Sequence, residues 1–352
     1  MKLFRRSSKP NKKLSPAEHA ANFINGNVQC ENCQVLIPIR RLVPLTLIPC
    51  PNCKALVFVP GKLQNWIICQ PIRSGSFGRV YLGVSASNFN LSVSIKIIQS
   101  EEENSEEIEK FLREAEIGRL FGEHPNLMKT YTYGRLEDGA FVVNSLENGI
   151  TLDTRLVMFP QGLDTEESIY YSLDILSGLA RIHSCGYLYR DINLNNIVIR
   201  DDGSAVLLDY GLCKEIAEAQ SPDETEGIYG TPLFVPPERC LRQPEDVRSD
   251  IYSFGMLLFY MLTGRPFFAS NELTRIIKGH LGGLRLPTEA KMHGKDPELI
   301  AIVDKCIQFE KSERYNNCAE VQAELGKILP KLVKLHPANE IVKFQRARYS
   351  VR

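Results

Sequence analysis

Two tight cysteine pairs, a glycine-rich stretch, one lysine at the end of an apolar run and two carboxylates at turns are the residues of this chain whose types and spacing could do chemistry. Cys30-x-x-Cys33 and Cys50-x-x-Cys53 are separated by sixteen residues, within the range of four-thiolate zinc sites. Each C-x-x-C turns tightly enough to place two thiolates on one face of a knuckle, and two knuckles complete a tetrahedron. The competing chemistries are two disulfides, which a reducing compartment disfavours, and a redox pair. A structural site of four cysteines has no open coordination position, so it docks or binds something and does not catalyse. Further on, Ile72-Arg-Ser-Gly-Ser-Phe-Gly-Arg-Val-Tyr81 places Gly75 and Gly78 where backbone N–H groups can approach phosphate oxygens with no Cβ in the way, and Val80 where it could cover a base. Val93-Ser-Ile-Lys96 then ends an apolar strand in an ammonium. In the acidic run Arg113-Glu-Ala-Glu-Ile-Gly, Glu114 could pair with Lys96 and aim it at phosphates, with Glu116 as the rival. Asp191 and Asp209 each sit at a turn beside an apolar strand.

The elements that must hold these residues follow from periodicity. Trp66 to Ile68, Arg79 to Val84 and Ser92 to Ile98 are rich in β-branched and aromatic residues and are separated by Gly and Asn, which predicts a hairpin sheet. Ser105 to Phe121 is acidic at its start and carries Ile108, Phe111, Leu112, Ala115, Ile117 and Leu120 at helical spacing. Beyond residue 165, helical patterns dominate. The strand-like stretches Val35 to Ile39 and Ala55 to Val59 after each knuckle resemble a zinc ribbon, in which metal replaces the core that so small a module cannot build. No internal repeat is visible. The division expected is a disordered basic tail over 1–27, a zinc ribbon over 28–60, a large domain over 66–330 and a solvated C-terminal tail over 331–352.

Composition bounds the function. The chain has 352 residues, 43% of them apolar, and 42 basic against 42 acidic side chains. With no global field, nucleic acid is not expected as a partner. Basic residues cluster only at the two ends. The N-terminus lacks an apolar run behind its basic residues, so no secretory signal is read and the expected location is cytoplasmic. The longest apolar run, Ile251 to Leu262, is interrupted by Ser253 and Gly255 and falls short of a membrane span. Cys69, Cys185, Cys213, Cys240, Cys306 and Cys318 are scattered among apolar neighbours and read as ordinary thiols.

The segment Tyr187-Leu-Tyr-Arg-Asp-Ile-Asn-Leu-Asn-Asn-Ile-Val-Ile199, followed by Val206-Leu-Leu-Asp-Tyr-Gly211, resembles the catalytic-loop and metal-loop signatures of the protein kinases. The resemblance spans residues 66 to 330 and is to the serine/threonine, bacterial-like branch. It implies an α+β fold of two lobes, a β-rich N-lobe and an α-rich C-lobe, behind the small four-cysteine zinc ribbon. It also implies Asp191 as acceptor of the substrate hydroxyl proton, Asn196 and Asp209 as ligands of Mg²⁺ (or Mn²⁺), and Lys96 with Glu114 as the phosphate-orienting pair. Ile72, Gly75, Gly78, Val80, Ser94, Lys96, Asn144 and Leu146 would line the ATP site. Gly230-Thr-Pro-Leu-Phe-Val-Pro-Pro-Glu238 looks like the segment that closes the activation loop, with Arg314 as the structural partner of Glu238. Asp250 resembles the residue that supports the catalytic-loop backbone. Arg190 before Asp191 suggests readout of a phosphorylated loop residue, with Ser221, Thr225, Tyr229 and Thr231 as candidates.

The sequence also departs from the family's pattern. Arg73 stands at the usual first glycine, Ser94 at the small alanine near the adenine, Tyr189 at the catalytic-loop histidine and Asn144 at the back of the adenine pocket. Asn193 replaces a lysine that would contact the γ-phosphate, a loss on the order of 2 to 4 kcal/mol of transition-state stabilisation. Two readings follow. One is an active kinase that phosphorylates a protein substrate, its zinc ribbon recruiting an unknown docking partner. The other is a pseudokinase, a nucleotide-binding scaffold motivated by Asn193 and Arg73.

Overall fold

The computed structural model describes residues 13–75, 78–100, 106–221, 229–282, 288–333, 343 and 345. The chain forms two compact units: one combines residues through Leu112 with Thr130–Leu146, and the other combines Arg113–Lys129 with everything from Glu147 onward.

The first unit is built on a six-stranded antiparallel sheet in the order Gly61–Leu63, Trp66–Gly75, Gly78–Ser85, Asn88–Gln99, Gly139–Ser145, Thr130–Leu136. Successive side chains alternate between its faces. Tyr81, Val93, Ile95, Phe141 and Val143 join Trp66 and Ile68 in an apolar cluster on one face. Leu45 and Phe58 from the cysteine-paired module pack against that cluster, and the Phe58 ring lies 6.1 Å from Tyr81. The module therefore shares a core with the sheet, and its last segment, Gly61–Leu63, becomes the sheet's edge strand.

The cysteine module is itself two copies of one motif, contrary to the expectation of no internal repeat: Cys30-Glu-Asn-Cys33-Gln-Val-Leu36 and Cys50-Pro-Asn-Cys53-Lys-Ala-Leu56 share the pattern C-x-N-C-x-x-L. Each knuckle leads into a short hairpin, Asn27–Gln29 with Leu36–Pro38 and Leu47–Pro49 with Leu56–Phe58. The N–H of Gln34 donates to the Cys30 carbonyl and that of Lys54 to the Cys50 carbonyl, with both residues left-handed (φ 61° and 64°).

Part of the expected N-terminal tail is ordered. Pro16–Ile24 is a helix that starts with a capping box, Ser15 Oγ accepting from the Glu18 N–H and the Glu18 carboxylate from the Ser15 N–H. The run Ser-Pro-Ala-Glu is the signal that marks it. Ala20 and Phe23 pack with Ile67, Cys69 and Val84 on the sheet face opposite the Trp66 cluster. At the other end, the helix Cys318–Val333 runs past residue 330, and Gln345 is buried, donating to the Gly203 carbonyl at 3.0 Å. The C-terminal segment is thus not solvated throughout.

The second unit is helical. Thr165–Ser184, Val247–Thr263, Pro297–Cys306 and Cys318–Val333 surround one apolar core, joined by the small sheet Gly149–Thr151, Ile197–Arg200 and Ala205–Leu207. Phe121 and Tyr210 meet edge-on within this core at 5.0 Å. Arg314, fully buried, makes two bonds of 2.8 and 2.9 Å to the Glu238 carboxylate, which also accepts from Ser249 Oγ at 2.6 Å. Burial alone would raise the Glu238 pKa; the Arg314 guanidinium overrides it and the net shift is downward. Removing one partner of such a pair strands the other charge. Glu238→Ala is expected to cost about 3 to 5 kcal/mol and to lower the melting midpoint on the order of 10 °C. Calorimetry checks this, and an unchanged melting midpoint would show that the pair does not hold the unit together.

Candidate active site and cysteine centre

In the second unit the catalytic-loop residues come together at the end of strand Tyr187–Leu188. Asp191 is half-buried, and both its carboxylate oxygens accept hydrogen bonds: Oδ1 from Asn193 Nδ2 at 3.0 Å and Oδ2 from Asn196 Nδ2 at 2.7 Å. Asn193 also caps the 3₁₀ turn Leu194–Asn196, its Oδ1 accepting from the N–H groups of Asn195 and Asn196. Burial raises the Asp191 pKa; the Asn193 amide works against that, and the nearby Asp209 charge adds to it. Asp209 is left-handed (φ 60°) and exposed, with Oδ1 accepting from the Gly211 N–H at 2.9 Å.

Two buried anchors set this geometry. Asp250, in the first turn of helix Val247–Thr263, accepts from the N–H groups of Tyr189 (2.8 Å) and Arg190 (2.9 Å) and lies 2.9 Å from His183 Nε2. These bonds hold Arg190 in the left-handed region (φ 67°), which turns the chain so that Asp191 follows. Tyr189, fully buried, donates its hydroxyl to the Leu208 carbonyl, just before Asp209. The Leu208 N–H in turn donates to the Asn196 carbonyl at 2.8 Å. Tyr189 thus links the catalytic loop to the metal loop, which accounts for its presence there. Tyr210 likewise finds a partner for its hydroxyl in the Met128 carbonyl, at 2.7 Å.

The sheet of the first unit carries the expected nucleotide residues on one face. Residues directly opposed in an antiparallel ladder share a face. Val80 pairs with Lys96 and Lys96 with Val142; Leu82 pairs with Ser94 and Ser94 with Asn144. Val80, Ser94, Lys96 and Asn144 therefore line the face opposite the Trp66 cluster. Gly75 pairs with Gly78 in the glycine hairpin, and Gly78 has φ 108°; a Cβ there would meet the Ile97 carbonyl oxygen at 2.5 Å, so only glycine fits. The Lys96 ammonium stands 5.2 Å from the centroid of Phe111. Ile72 is exposed, Leu146 half-buried just beyond strand Gly139–Ser145. The Asn144 Oδ1 is buried with no hydrogen-bond partner among the described residues. Glu114 belongs to the second unit, where its carboxylate lies close to Gly211, while Glu116 is exposed. Of the loop candidates, Ser221 and Tyr229 are exposed and Thr231 precedes the 3₁₀ turn Pro232–Phe234; Thr225 lies outside the described residues.

The four cysteine sulfurs lie within 4.8 Å of one another, with Cys30–Cys53 and Cys33–Cys50 both at 3.6 Å. No sulfur pair is close enough to be a disulfide. A tetrahedron with metal–sulfur bonds of about 2.3 Å has edges of about 3.8 Å, so the four fit a Zn²⁺ ion. The Val35 N–H lowers the Cys33 pKa; the Asn32 side chain and the Ala55 N–H bring Cys53 to about 6, whereas burial pushes Cys30 up to about 12. The carboxylate and amide oxygens of Asp209 and Asn196 are hard donors of the kind that suits Mg²⁺.

Residues 66–325 match the family described as the protein kinase domain. The chain belongs to the protein kinase family. It is 28% identical over 224 residues to the serine/threonine-protein kinase PknB of Mycobacterium leprae, an alignment covering 62% of this chain and 36% of that protein. It is 27% identical over 270 residues to the probable serine/threonine-protein kinase PknB of Lactococcus lactis, covering 76% of this chain and 42% of that one. The chain thus spans about two fifths of the length of these relatives. In the family's terms the first unit's sheet is the β-rich N-lobe and the second unit is the helical C-lobe.

Three residues of the site carry no sequence signal of their own. His183, Arg239 and Glu245 are read as functional only from what they touch, since none belongs to a motif and each meets a partner tens of residues away in the chain. His183 is instructive. Burial alone would lower its pKa, but hydrogen bonds to Asp250 and Cys318 raise it to about 10. His280, between the Tyr252 hydroxyl and the Pro232 carbonyl oxygen at 2.8 Å each, is pushed down by burial to about 4. Both start from an ordinary value of 6.5. The raised pKa of His183 stabilises the fold below pH 6.5, and that contribution is lost as pH rises toward about 10. The depressed pKa of His280 favours the fold fully above pH 6.5, and that contribution is lost as pH falls toward about 4. Thermal melting across pH 5 to 9 is expected to flatten on its alkaline limb in His183→Asn and on its acid limb in His280→Asn. Limbs identical to wild type in both variants would refute the assignment.

Proposed function

We propose that this chain is an ATP- and Mg²⁺-dependent serine/threonine kinase. The observation that carries this reading is the cluster at Asp191, where the Asn193 and Asn196 amides hold the carboxylate at a turn and Asp209 stands nearby. Asp191 accepts the proton of a serine or threonine hydroxyl as that oxygen forms a bond to the γ-phosphorus and the bond to the β–γ bridging oxygen breaks, releasing ADP. Burial raises its pKa, so it is a stronger base than an ordinary aspartate, and activity falls on the acid side at a correspondingly higher pH. Asn196 and Asp209 would hold Mg²⁺ (or Mn²⁺), which when bound neutralises charge on the β- and γ-phosphates. The glycine hairpin, Val80, Ser94 and Lys96 bind the nucleotide from the N-lobe sheet, with Lys96 oriented by Glu114. The substrate is a protein hydroxyl. The proposed location is cytoplasmic, on the reading of the N-terminal sequence; no described helix is long and apolar enough to cross a membrane.

Asn193 favours a second reading, a pseudokinase. It occupies the place of a lysine and contacts the base itself, so a cation for the γ-phosphate is not supplied from this position. With purified protein, labelled ATP and Mg²⁺, the wild type should label itself or a basic protein, and Asp191→Ala should lower this by about 10² to 10⁴. Equal labelling by the variant would discredit the assignment. Asn193→Lys removes the cap for two N–H groups and should lower the rate roughly tenfold; a gain of a hundredfold would instead show that the missing cation limits the native chain.

Cys30, Cys33, Cys50 and Cys53 hold a structural Zn²⁺ in this reading. The ribbon lies on the apolar face of the N-lobe sheet, so its first partner is its own chain, and its exposed hairpins are left to dock an outside protein. Trp66 is the single tryptophan and is buried in the cluster that the ribbon covers. Stripping the metal with a chelator should release one zinc per chain and shift Trp66 emission to the red. Unchanged emission after complete metal loss would show that the ribbon folds without it.

A further inference from the structure

Arg190, immediately before Asp191, has the position from which a kinase reads a phosphate on its activation segment, yet its guanidinium is already engaged. Its Nη2 lies 2.9 Å from Glu245 Oε1. The other oxygen of that carboxylate accepts from Arg239 Nε at 3.0 Å and Nη2 at 2.6 Å. Arg239 Nη1 also donates to the Arg190 carbonyl at 2.7 Å. All three side chains are buried. The cluster ties together the pieces that a loop phosphate would tie. The Glu245 N–H donates to the Ala219 carbonyl, where the segment after Asp209 departs. Arg239 reaches the Tyr229 carbonyl, and Gly230, with φ 103°, leaves just enough room for Arg239 Nη1, which a Cβ would meet at 3.2 Å. This is where that segment returns. A carboxylate that accepts two bonds from Arg239 at one oxygen and meets Arg190 with the other offers charge-assisted contacts of the kind a phosphate makes.

We propose that Glu245 is a permanent anionic partner of Arg190, so that the catalytic loop is held in place with no phosphate on the segment following Asp209. Glu245 is a positioning residue, acting through Arg190 on Asp191, and the proposal rests on the kinase reading above. It is held in turn by Arg239, whose guanidinium donates two bonds to the other carboxylate oxygen. Ser221, Thr225, Tyr229 and Thr231 can then be modified or left bare without changing the order of the loop around Asp191.

The test uses the full chain, dephosphorylated by a protein phosphatase and verified by mass spectrometry, with Glu245→Gln and Glu245→Asp alongside. Dephosphorylated wild type should keep its kcat within about twofold. Glu245→Gln should lower kcat roughly 10- to 100-fold through misplacement of Asp191 with KM for ATP unchanged, and Glu245→Asp should recover part of the loss. Hydrogen exchange of residues 187–196 should be the same before and after phosphatase treatment and faster in Glu245→Gln. Loss of activity or of exchange protection on dephosphorylation overturns the proposal, as does a Glu245→Gln variant with wild-type kcat and exchange, or one whose loss lies in KM for ATP. Labelling that is equal in wild type and Asp191→Ala would fail the kinase reading instead, and the exchange arm, which needs no turnover, still decides the role of Glu245. If Glu245→Gln does not fold, the phosphatase comparison on wild type remains decisive.

Discussion

Asp250 is fully buried and ionised, and the geometry of the catalytic loop depends on how that charge is satisfied. An unpaired carboxylate at this depth would cost several kcal/mol. Its oxygens take the Tyr189 and Arg190 N–H groups and face His183, and burial, which alone would raise its pKa, is outweighed by these partners. Satisfying Asp250 fixes two consecutive backbone N–H groups and with them the left-handed turn at Arg190, a strain of roughly 1 to 3 kcal/mol. From there the constraint divides. One branch runs through Asp191 to the Asn193 and Asn196 amides, and the other through the Tyr189 hydroxyl to Leu208 and so to Asp209. Neither carboxylate of the site is placed by its own strand alone.

A second constraint shapes the N-lobe. A twisted sheet with one apolar face needs a cover and protected edges. Here the cysteine module supplies both, packing Leu45 and Phe58 over the Tyr81 and Trp66 cluster and adding Gly61–Leu63 at the edge. The helix Pro16–Ile24 packs on the opposite face through Ala20 and Phe23, and His19 reaches Glu31 beside the first knuckle. The module's own core is a small cluster of Val28, Ile37 and Val57 around the buried Cys30 and Cys50, and cysteine geometry and the lobe it covers supply the rest.

The departures from the family's pattern have separate physical accounts. Tyr189 and Tyr210 each bring a hydroxyl into the interior and each donates it to a backbone carbonyl, so neither leaves a polar group unsatisfied. Asn193 exchanges a cation for a cap and an amide contact with Asp191. Ser94 and Asn144 are direct cross-strand neighbours on the face that bears Lys96, which concentrates the polarity of that face at one place. Arg73 is exposed, and nothing in the structure explains its presence at a usual glycine.

The motifs Gly75 to Gly78, Lys96, Asp191 to Asn196 and Asp209 were legible in the sequence because each is a local unit: the turn chemistry, the apolar strand before it and the reactive residue lie within a dozen positions. The two C-x-x-C pairs were legible for the same reason, and the capping box at Ser15 could have been. The equivalence of the two knuckles is legible too, in the C-x-N-C-x-x-L shared by residues 30–36 and 50–56, and the left-handed backbone at Gln34 and Lys54 repeats with it. The covering of the sheet by the ribbon, the engagement of Arg190 by Glu245 and the burial of Gln345 against Gly203 join residues 55 to 142 positions apart or belong to surfaces that periodicity does not encode. Local sequence determined which residues could do chemistry and which elements would carry them. Which carboxylate meets which arginine was decided only when burial removed water as an alternative partner and forced each charged group to find another within the fold.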